Sequence, residues 1–442
     1  MKRYLCTLIL ALITLCCCWP NSALAAPQLA STAAVLMDGE TGQILFEKNM
    51  DQRMYPASIT KILTILLAVE NSTPQQQVVV SEQAVMSLPL GTSHIGLQPG
   101  EKVSMEDLLY AAAMMSANDA CNVIAEEIAG SMEAFAEMMN QRAAALGCTG
   151  SNFVNAHGLS EVGHYSSAHD MALITQAALR NAEFRQYFGM VIWEMGTTNM
   201  VDETRPFATQ HDMLKQGEYY YQGADGGKTG YTSLAQNTLV TTAQRDGRRL
   251  ITVIMQCASG QERYSDTALL LDYGFNEFLS YTIPLADIID IQRELPEAEE
   301  SSVVVDLQAR TDFTYLLHNS LNSPKIIQTP VMPEVWTEAA RATLRFSLAE
   351  PNSAMYYELG RIPLEMKVIS RQTPATGFIA ALLMILKFVF KVLLIIIGLL
   401  FLLVVVLRGR KLWRDQKKRR RGIANGRGNN EWPGKPIHKK YG

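Results

Sequence analysis

One stretch of the chain reads Pro56-Ala57-Ser58-Ile59-Thr60-Lys61, and the apolar residues 62–69 follow it directly. A proline just ahead of a run rich in Leu, Ile and Ala predicts the start of a helix. Positions three apart share a helix face, so Ser58 and Lys61 are expected to touch. A serine becomes a nucleophile when a base takes its proton, and burial or a nearby cation prepares a lysine for that task. The pair is therefore a candidate nucleophile and base, and the same spacing also fits an ordinary helix start with a solvated lysine.

The N-terminus carries the features of an export signal. Met1-Lys2-Arg3 precedes an apolar run, and Ala23-Leu24-Ala25 follows it as a site of small residues. This order of charge, apolar core and small residues is typical of a secretory signal peptide, which we place at 1–25.

The C-terminal region predicts a membrane anchor. Residues 378–407 are almost wholly apolar, interrupted by Lys387 and Lys391, and are long enough to span a bilayer as one helix. Residues 408–442 then contain 13 Lys or Arg and 2 Asp or Glu. Positive charge beside a membrane helix marks the cytoplasmic side. We therefore expect a cell-membrane protein with a transmembrane anchor at 376–408, a basic cytoplasmic tail at 409–442 and its remaining domains outside the cytoplasm.

Charge and cysteine content exclude several classes of function. Residues 26–374 carry a net charge of −19, which argues against nucleic acid as a partner, and lipid contact accounts for the basic tail. Three cysteines remain after the signal peptide, with no CxxC spacing; we expect buried thiols, with one disulfide left open. No HExxH pattern is present, so neither a metal nor a cofactor is predicted. The cysteines are Cys121, Cys148 and Cys257.

The order of predicted elements indicates an α+β chain. A hairpin over 33–48 precedes the helix of Ser58, and a helical block spans about 104–146. Residues 195–227 are polar and irregular, as expected of a long loop. A second hairpin over 238–256 and a helix to about 278 end the first domain, predicted at 26–279. Short β-like segments then predict a small all-β domain at 280–372.

Two further polar motifs accompany the serine and the lysine. Ser116-Ala117-Asn118 lies between two predicted helices, and Lys228-Thr229-Gly230 precedes Tyr231 at a predicted strand. An ammonium, a hydroxyl and an approachable glycine backbone suit a carboxylate ligand, although each motif alone also fits an ordinary turn. The three motifs in this order form the signature of penicillin-binding proteins and class A β-lactamases.

The sequence around these motifs resembles that of the low-molecular-mass penicillin-binding proteins, the serine-type D-Ala-D-Ala carboxypeptidases of peptidase family S11. Asn155-Ala156-His157-Gly158-Leu159 and residues 225–232 also resemble that family, and the likeness covers about 31–278. It implies a penicillin-binding, β-lactamase-like transpeptidase domain, with an antiparallel sheet flanked by helices. It also implies removal of the terminal D-Ala from peptidoglycan stem pentapeptides through an acyl-enzyme, with inhibition by β-lactams.

The resemblance gives each motif a role. Ser58 is the implied nucleophile, Lys61 its base, and Ser116 a proton relay to the leaving D-Ala. Asn118 would position the substrate, Lys228 and Thr229 would hold its carboxylate, and Gly230 completes that motif. The backbone N–H groups of Ser58 and Tyr231 would form the oxyanion hole.

Two departures from the family and several competing functions remain at this stage. Ala117 stands where the family has glycine, and residues 209–214 lack its Asn-rich wording, which leaves the substrate preference open. A DD-endopeptidase would use the same residues. A β-lactamase would need a deacylating glutamate, and Glu161, Glu183 and Glu194 lack a Glu-x-x-Asn pattern. A catalytically inactive penicillin sensor or wall-binding module is the third alternative.

Overall fold

The computed structural model describes residues 26–297, 301–321, 324–349, 356–372 and 379–424. The predicted signal peptide and the part of the tail after residue 424 lie outside these residues. Contacts divide the chain into two compact units. Of the described residues, the first unit contains those in 26–291, 307–332 and 341–366, and the second contains those in 292–306, 333–340 and 367–424.

The strands and helices of the described residues are numbered here in chain order. The strands are β1 Ala33–Asp38, β2 Ile44–Lys48, β3 Gln77–Val79, β4 Lys102–Ser104, β5 Ile192–Met195, β6 Arg205–Ala208, β7 Ala224–Thr232, β8 Gln236–Arg245, β9 Arg248–Cys257, β10 Phe278–Ile283, β11 Ile291–Pro296, β12 Ser302–Gln308, β13 Phe313–His318, β14 Lys325–Val331, β15 Ala342–Ala349 and β16 Tyr356–Gln372. The α-helices are α1 Lys61–Asn71, α2 Glu82–Met86, α3 Met105–Met114, α4 Asn118–Ala129, α5 Met132–Ala145, α6 Ala168–Leu179, α7 Ala182–Gly189, α8 Gly260–Glu277 and α9 Ile379–Ala424. Short 3-10 helices span Ala57–Thr60, Asp212–Leu214 and Leu285–Asp287.

An antiparallel five-stranded sheet in the order β2-β1-β9-β8-β7 organises the first unit. All six residues of β1 are buried, because apolar clusters cover both faces of the sheet. Val35 and Met37 belong to the cluster that contains the helices α1 and α3 to α7, whereas Leu36 belongs to the cluster of α8. Alternate side chains of a strand point to opposite faces, so the sheet lies between helical layers as the α+β prediction requires.

Both predicted hairpins are present. β1 pairs with β2 around a turn in which the Asp38 carboxylate accepts hydrogen bonds from the Thr41 backbone N–H and hydroxyl. β8 pairs with β9 around Asp246 and Gly247, both of which have positive φ. Two-residue turns of this kind match the right-handed twist of the flanking strands, so short-range sequence signals were sufficient here.

The helical block also begins and ends where the sequence predicts. The Ser104 hydroxyl accepts a hydrogen bond from the Asp107 backbone N–H and so caps the start of α3. Gly130 directly after α4 and Gly147 after α5 have φ of 81° and 87°. Glycine adopts this left-handed conformation without steric cost, which ends both helices.

Residues 195–227 contain more regular structure than the sequence predicts. β5 pairs with β6, a 3-10 helix follows, and β7 begins at Ala224. The reason is tertiary. The Trp193 ring stacks on Tyr110 at 4.0 Å between centroids, and its indole N–H donates to Asp107 at 2.9 Å. These contacts come from α3, which a local sequence window does not include.

Further β-structure follows the five-stranded sheet in the first unit. β10 pairs with β13, and β15 pairs with β14 and β16. The Gln43 side chain exchanges two hydrogen bonds with the backbone of Leu316, at 2.6 and 2.7 Å, which ties β2 to β13. The three cysteines of the described residues are free thiols.

The second unit contains one helix with the composition of a membrane span. Within α9, residues Leu382–Arg414 are long enough and apolar enough to cross a bilayer. Among the described residues this is the one helix that meets both criteria. The helix continues through the first part of the basic tail to Ala424.

Candidate active site

The structure brings Ser58 and Lys61 into contact at the start of α1. Ser58 lies in the 3-10 helix and Lys61 is the first residue of α1, so the two side chains share one face. The Lys61 Nζ lies 3.0 Å from the Ser58 Oγ. It also donates to the Asn118 Oδ1 at 2.8 Å and to the His157 carbonyl oxygen at 2.6 Å. The lysine is therefore held by the chain on three sides.

The environment of Lys61 favours a neutral amine more than water does. Burial lowers its pKa to about 8, while Cys121, where it is ionised, and the Asp119 carboxylate act in the opposite direction. The Cys121 thiol is itself buried, and burial raises its pKa to about 11, so it is uncharged near neutral pH. The three acceptors around Nζ stabilise the ammonium, but desolvation is the larger effect.

Ser116, Ala117 and Asn118 form the turn between α3 and α4. Ser116 is 4% exposed and has a φ of 58°. Ala117 has φ of −64° and ψ of 117°, a conformation that any L-residue adopts. The alanine that departs from the family's glycine is therefore compatible with this turn. The Asn118 backbone N–H donates to the Ser93 carbonyl at 2.8 Å, which anchors the start of α4.

The residues Lys228 to Tyr231 lie on β7, the edge strand of the sheet. Lys228 and Thr229 are buried, whereas Tyr231 is exposed. A Cβ at Gly230 would lie 2.9 Å from the Ser58 backbone nitrogen and 2.3 Å from the Thr238 hydroxyl. Only glycine allows β7 to approach the backbone of Ser58 this closely. The backbone N–H groups predicted for an oxyanion hole thus belong to adjacent segments.

Three basic side chains, Lys61, Lys228 and Arg263, lie near one another at this point of an acidic chain. Burial and the charge of Lys61 lower the pKa of Lys228 well below its ordinary value, and the Arg263 guanidinium adds to this effect. Arg263, in the first turn of α8, was missed by sequence reasoning because it lies outside the three motifs. Within the described ranges, no group of three His, Cys, Asp or Glu side chains is placed to hold a metal ion.

His157 contributes its backbone rather than its ring. Its carbonyl accepts from Lys61, while its Nδ1 accepts from the Leu159 backbone N–H at 3.2 Å. Burial lowers the pKa of the ring to about 3, so the imidazole is neutral at the pH at which Lys61 titrates. In the sequence, only the resemblance of residues 155–159 to the family indicated that this residue is important.

Gly158 is required by the close contact between its loop and Ala57, the residue before Ser58. It has a φ of 87°, and a Cβ there would lie 1.9 Å from the Ala57 carbonyl oxygen. We expect Gly158→Ala to destabilise the fold by more than about 2 kcal/mol and to abolish penicillin labelling, because the backbone beside Ser58 must move.

Gly163 provides the matched control for that substitution. It has a similar φ of 90°, and the nearest atom to its Cβ would be 3.6 Å away. Gly163→Ala should cost only the conformational strain, about 1 kcal/mol, and keep penicillin labelling. Thermal denaturation and labelling of both variants measure the difference, and equal losses would contradict the steric argument.

The glutamates considered for a β-lactamase mechanism each have a partner outside the serine–lysine pair. Glu161 accepts from the Asn155 amide at 3.2 Å, and Glu183 accepts from the Tyr187 hydroxyl at 3.2 Å. Glu194 accepts from the Thr204 hydroxyl at 2.8 Å. These contacts provide no support for a deacylating glutamate.

Comparison with known proteins agrees with this geometry. A family model described as D-alanyl-D-alanine carboxypeptidase, peptidase S11, matches residues 21–259. The chain belongs to the D-alanyl-D-alanine carboxypeptidase family. The matched part includes Ser58, Lys61 and both later motifs. The activity of this family is hydrolytic, so the chain is a serine-type D-Ala-D-Ala carboxypeptidase, a hydrolase.

Individual members of the carboxypeptidase family show the same likeness. D-alanyl-D-alanine carboxypeptidase DacF of Bacillus subtilis is 33% identical over 294 residues, which cover 64% of this chain and 73% of the relative. DacC of Escherichia coli is 32% identical over 265 residues, 58% of this chain and 64% of that relative. The alignment thus spans a little under two thirds of the Escherichia coli protein.

A solved structure supports the fold of this family member. Penicillin-binding protein 5 from Haemophilus influenzae is similar with a TM-score of 0.60 and 26% sequence identity. The superposition covers 78% of this chain and 98% of that structure. The predicted penicillin-binding fold is confirmed by this likeness.

Proposed function

We propose that the chain removes the terminal D-Ala from peptidoglycan stem pentapeptides through an acyl-enzyme on Ser58. The observation that carries the proposal is the buried Lys61 amine 3.0 Å from the Ser58 hydroxyl, with two further acceptors already in place. The family membership supports the same reaction. The roles of the individual residues below are part of the proposal.

The hydrogen bonds of Lys61 suit a neutral base. A neutral amine has two N–H donors and one lone pair. Donation to the Asn118 Oδ1 and the His157 carbonyl uses both donors and turns the lone pair toward Ser58. The serine hydroxyl then donates to the lysine, and the proton moves to Nζ as Oγ attacks the carbonyl carbon.

The chemical steps balance without a further reactant except water. The bond from Oγ to the carbonyl carbon forms, and the bond from that carbon to the D-Ala nitrogen breaks. The proton taken by Lys61 passes through Ser116 to the leaving amine. Water then adds to the ester, the bond to Ser58 breaks, and the serine regains its proton. The backbone N–H groups of Ser58 and Tyr231 would stabilise the oxyanion in both halves.

The charged cleft accounts for a substrate with a free carboxylate. Lys228 and Thr229 on β7 would bind the carboxylate of the terminal D-Ala, with Arg263 adding positive charge. Asn118 would position both the substrate and Lys61. A β-lactam also presents a carboxylate and a reactive amide, so we propose that it acylates Ser58 and is released slowly.

Release of D-Ala by the full-length chain tests the proposal. The purified chain in detergent is incubated with a D-Ala-D-Ala-terminated peptide, and free D-Ala is assayed. A parallel incubation uses a cross-linked peptide dimer, which distinguishes an endopeptidase. Release of D-Ala from the linear peptide is the expected result. Cleavage of the dimer without D-Ala release would replace the carboxypeptidase by an endopeptidase, and labelling by penicillin without any cleavage would indicate a sensor.

We propose a membrane location on the basis of α9. The predicted anchor 376–408, most of which lies in α9, would span the bilayer, with the basic tail 409–442 on the cytoplasmic side and the domains 26–279 and 280–372 outside. The two lysines at 387 and 391 would reach the outer interface. After removal of a signal peptide at 1–25, the chain would be held only by this helix.

The expected behaviour in cells follows from this topology. The chain should stay with membranes in alkaline carbonate and dissolve only in detergent. Alkaline carbonate releases proteins that are held by charge, but it does not release a helix that spans the bilayer. A protease added outside intact spheroplasts should remove the domains 26–372 and leave a fragment protected by the bilayer. Release by carbonate, or protection of the whole chain from the protease, would refute the topology.

A further inference from the structure

The segment 209–214, which departs from the wording of the family, lies between the Ser116 turn and β7. On one side, the Gln210 side-chain amide donates to the carbonyl oxygen of Met115 at 3.3 Å. Met115 directly precedes Ser116. On the other side, the neighbouring residue His211 packs against β7, and its side chain is buried. Two consecutive residues therefore contact the residues that directly precede two of the three motifs, Met115 and Gly227.

The His211 ring fits against the backbone of β7 beside Lys228. A Cβ at Gly227 would lie 2.3 Å from the ring Nε2 and 2.4 Å from Cδ2. The ring Nε2 lies 2.9 Å from the Thr241 hydroxyl and 3.3 Å from the Val240 carbonyl. Val240 is the register partner of Lys228 on β8. The imidazole therefore contacts both β7 and β8 at the position of the lysine.

The segment 209–214 is itself held by hydrogen bonds and ring packing, so it can hold β7 in a fixed position. The Thr209 backbone N–H donates to the Val191 carbonyl at 2.9 Å, and the Lys215 ammonium donates to the Thr209 carbonyl at 3.2 Å. The His211 ring meets the Tyr264 ring edge-on at 6.0 Å between centroids. A movement of His211 would therefore be resisted from several sides, and β7 has a firm surface to pack against.

The charge state of His211 matters because of its neighbours. Acceptors surround Nε2, so Nε2 carries the proton, while Nδ1 is buried and has no hydrogen-bond partner among the described residues. Burial lowers the pKa of the ring to about 3, and the charges of Arg263 and Lys228 act in the same direction. The Val240 carbonyl and Asp212 oppose the shift. The strand thus packs on a neutral ring, which adds no charge beside Lys228.

We propose that Gln210 and His211 are positioning residues that set the separation between the Ser116 turn and the Lys228 ammonium. Gln210 holds the turn, and His211 holds the strand that presents the cation to a carboxylate. This inference rests on the proposed function for its substrate, and it assigns substrate positioning to the segment in which the chain differs from its family.

The test uses the full-length chain in detergent and measures the second-order rate of acylation by labelled penicillin, with the melting temperature alongside. His211→Ala should slow acylation at least about tenfold, whereas His211→Gln places an amide N–H donor near the position of Nε2 and should stay within about threefold of the wild type. Gln210→Ala should slow it about fivefold. Gln176→Ala loses a comparable hydrogen bond to the Gly39 carbonyl, far from the motifs, and should leave the rate unchanged.

A double-mutant cycle separates positioning from a general loss of stability. In a Lys228→Ala background, His211→Ala should slow acylation by less than about threefold, because the group that it positions is gone. Full additivity of the two losses, or a lower melting temperature with unchanged acylation per folded molecule, would overturn the proposal. If His211→Ala does not fold, the test rests on Gln210→Ala, because Gln210 is exposed. An acylation rate of Gln210→Ala equal to that of Gln176→Ala would then refute the inference.

The rate of penicillin acylation tests this inference independently of the proposed carboxypeptidase activity. Penicillin acylation reports on the positions of Ser58, Ser116 and Lys228 without requiring D-Ala to be released. A wild-type chain that acylates but releases no D-Ala would contradict the carboxypeptidase, while the coupling between His211 and Lys228 would still be measured.

Discussion

A Ser58→Ala chain is expected to release no measurable D-Ala and to take up no labelled penicillin. Loss of a nucleophile that forms the covalent intermediate lowers kcat by about 10⁴-fold or more. The fold should survive, because the half-buried hydroxyl is one of three Lys61 contacts and the other two remain. Assays of free D-Ala and of covalent labelling measure the two losses on the same sample.

Ser265→Ala is the matched control for this substitution. Ser265 is exposed on α8, and its hydroxyl donates only to the Gln261 carbonyl one turn earlier, at 3.3 Å. The variant should keep both activities and the wild-type melting temperature. If Ser58→Ala still released D-Ala at the rate of this control, Ser58 would not be the nucleophile.

The contact between Ser58 and Lys61 could be predicted from sequence because it is local. Two residues three apart at a helix start meet without help from the rest of the chain. The hairpins and the capped start of α3 were predictable for the same reason, since their signals lie within a few residues. Local rules also indicated that Lys61 needed burial, but they gave no means of identifying what buries it.

The remaining contacts of Lys61 are long-range, and sequence reasoning identified them only in part. Asn118 was expected at the site from its motif, but the carbonyl of His157 was not, since a backbone oxygen has no sequence signal of its own. Gln210 was missed for another reason. It acts through Met115, the residue before a motif, and its segment resembles the family less than its surroundings do.

The left-handed backbone conformation of two residues at the motifs could likewise not be predicted from the sequence. Ala57 and Ser116 have φ of 52° and 58°, although neither is a glycine. Such a conformation costs about 1 to 2 kcal/mol and persists where surrounding contacts enforce it. Ala57 is pressed by Gly158, and the Ser116 turn is held at Asn118 and at Met115. Strain at the two positions therefore follows from tertiary packing.

Lys61→Met is expected to slow acylation by about 10² to 10⁴-fold, the usual contribution of a general base. Methionine has a similar length and no charge, so it fills the buried site without requiring a counter-ion. It leaves Asn118 and the His157 carbonyl without a donor, which should lower the melting temperature as well. Rates per folded molecule, obtained from the labelled fraction at long times, separate the two effects.

The pH dependence identifies Lys61 as the base more directly than the rate does. In the proposed mechanism the free amine of Lys61 is the reactive form, and burial lowers its pKa to about 8, so acylation by the wild type should rise about tenfold per pH unit below 8 and level off above it. The residual rate of Lys61→Met should lack this rise. Lys48→Met, which removes a lysine bonded to the Leu29 carbonyl, should keep it. A rise that persists in Lys61→Met would assign the proton transfer to another group, because burial lowers the pKa of the neighbouring Lys228 as well.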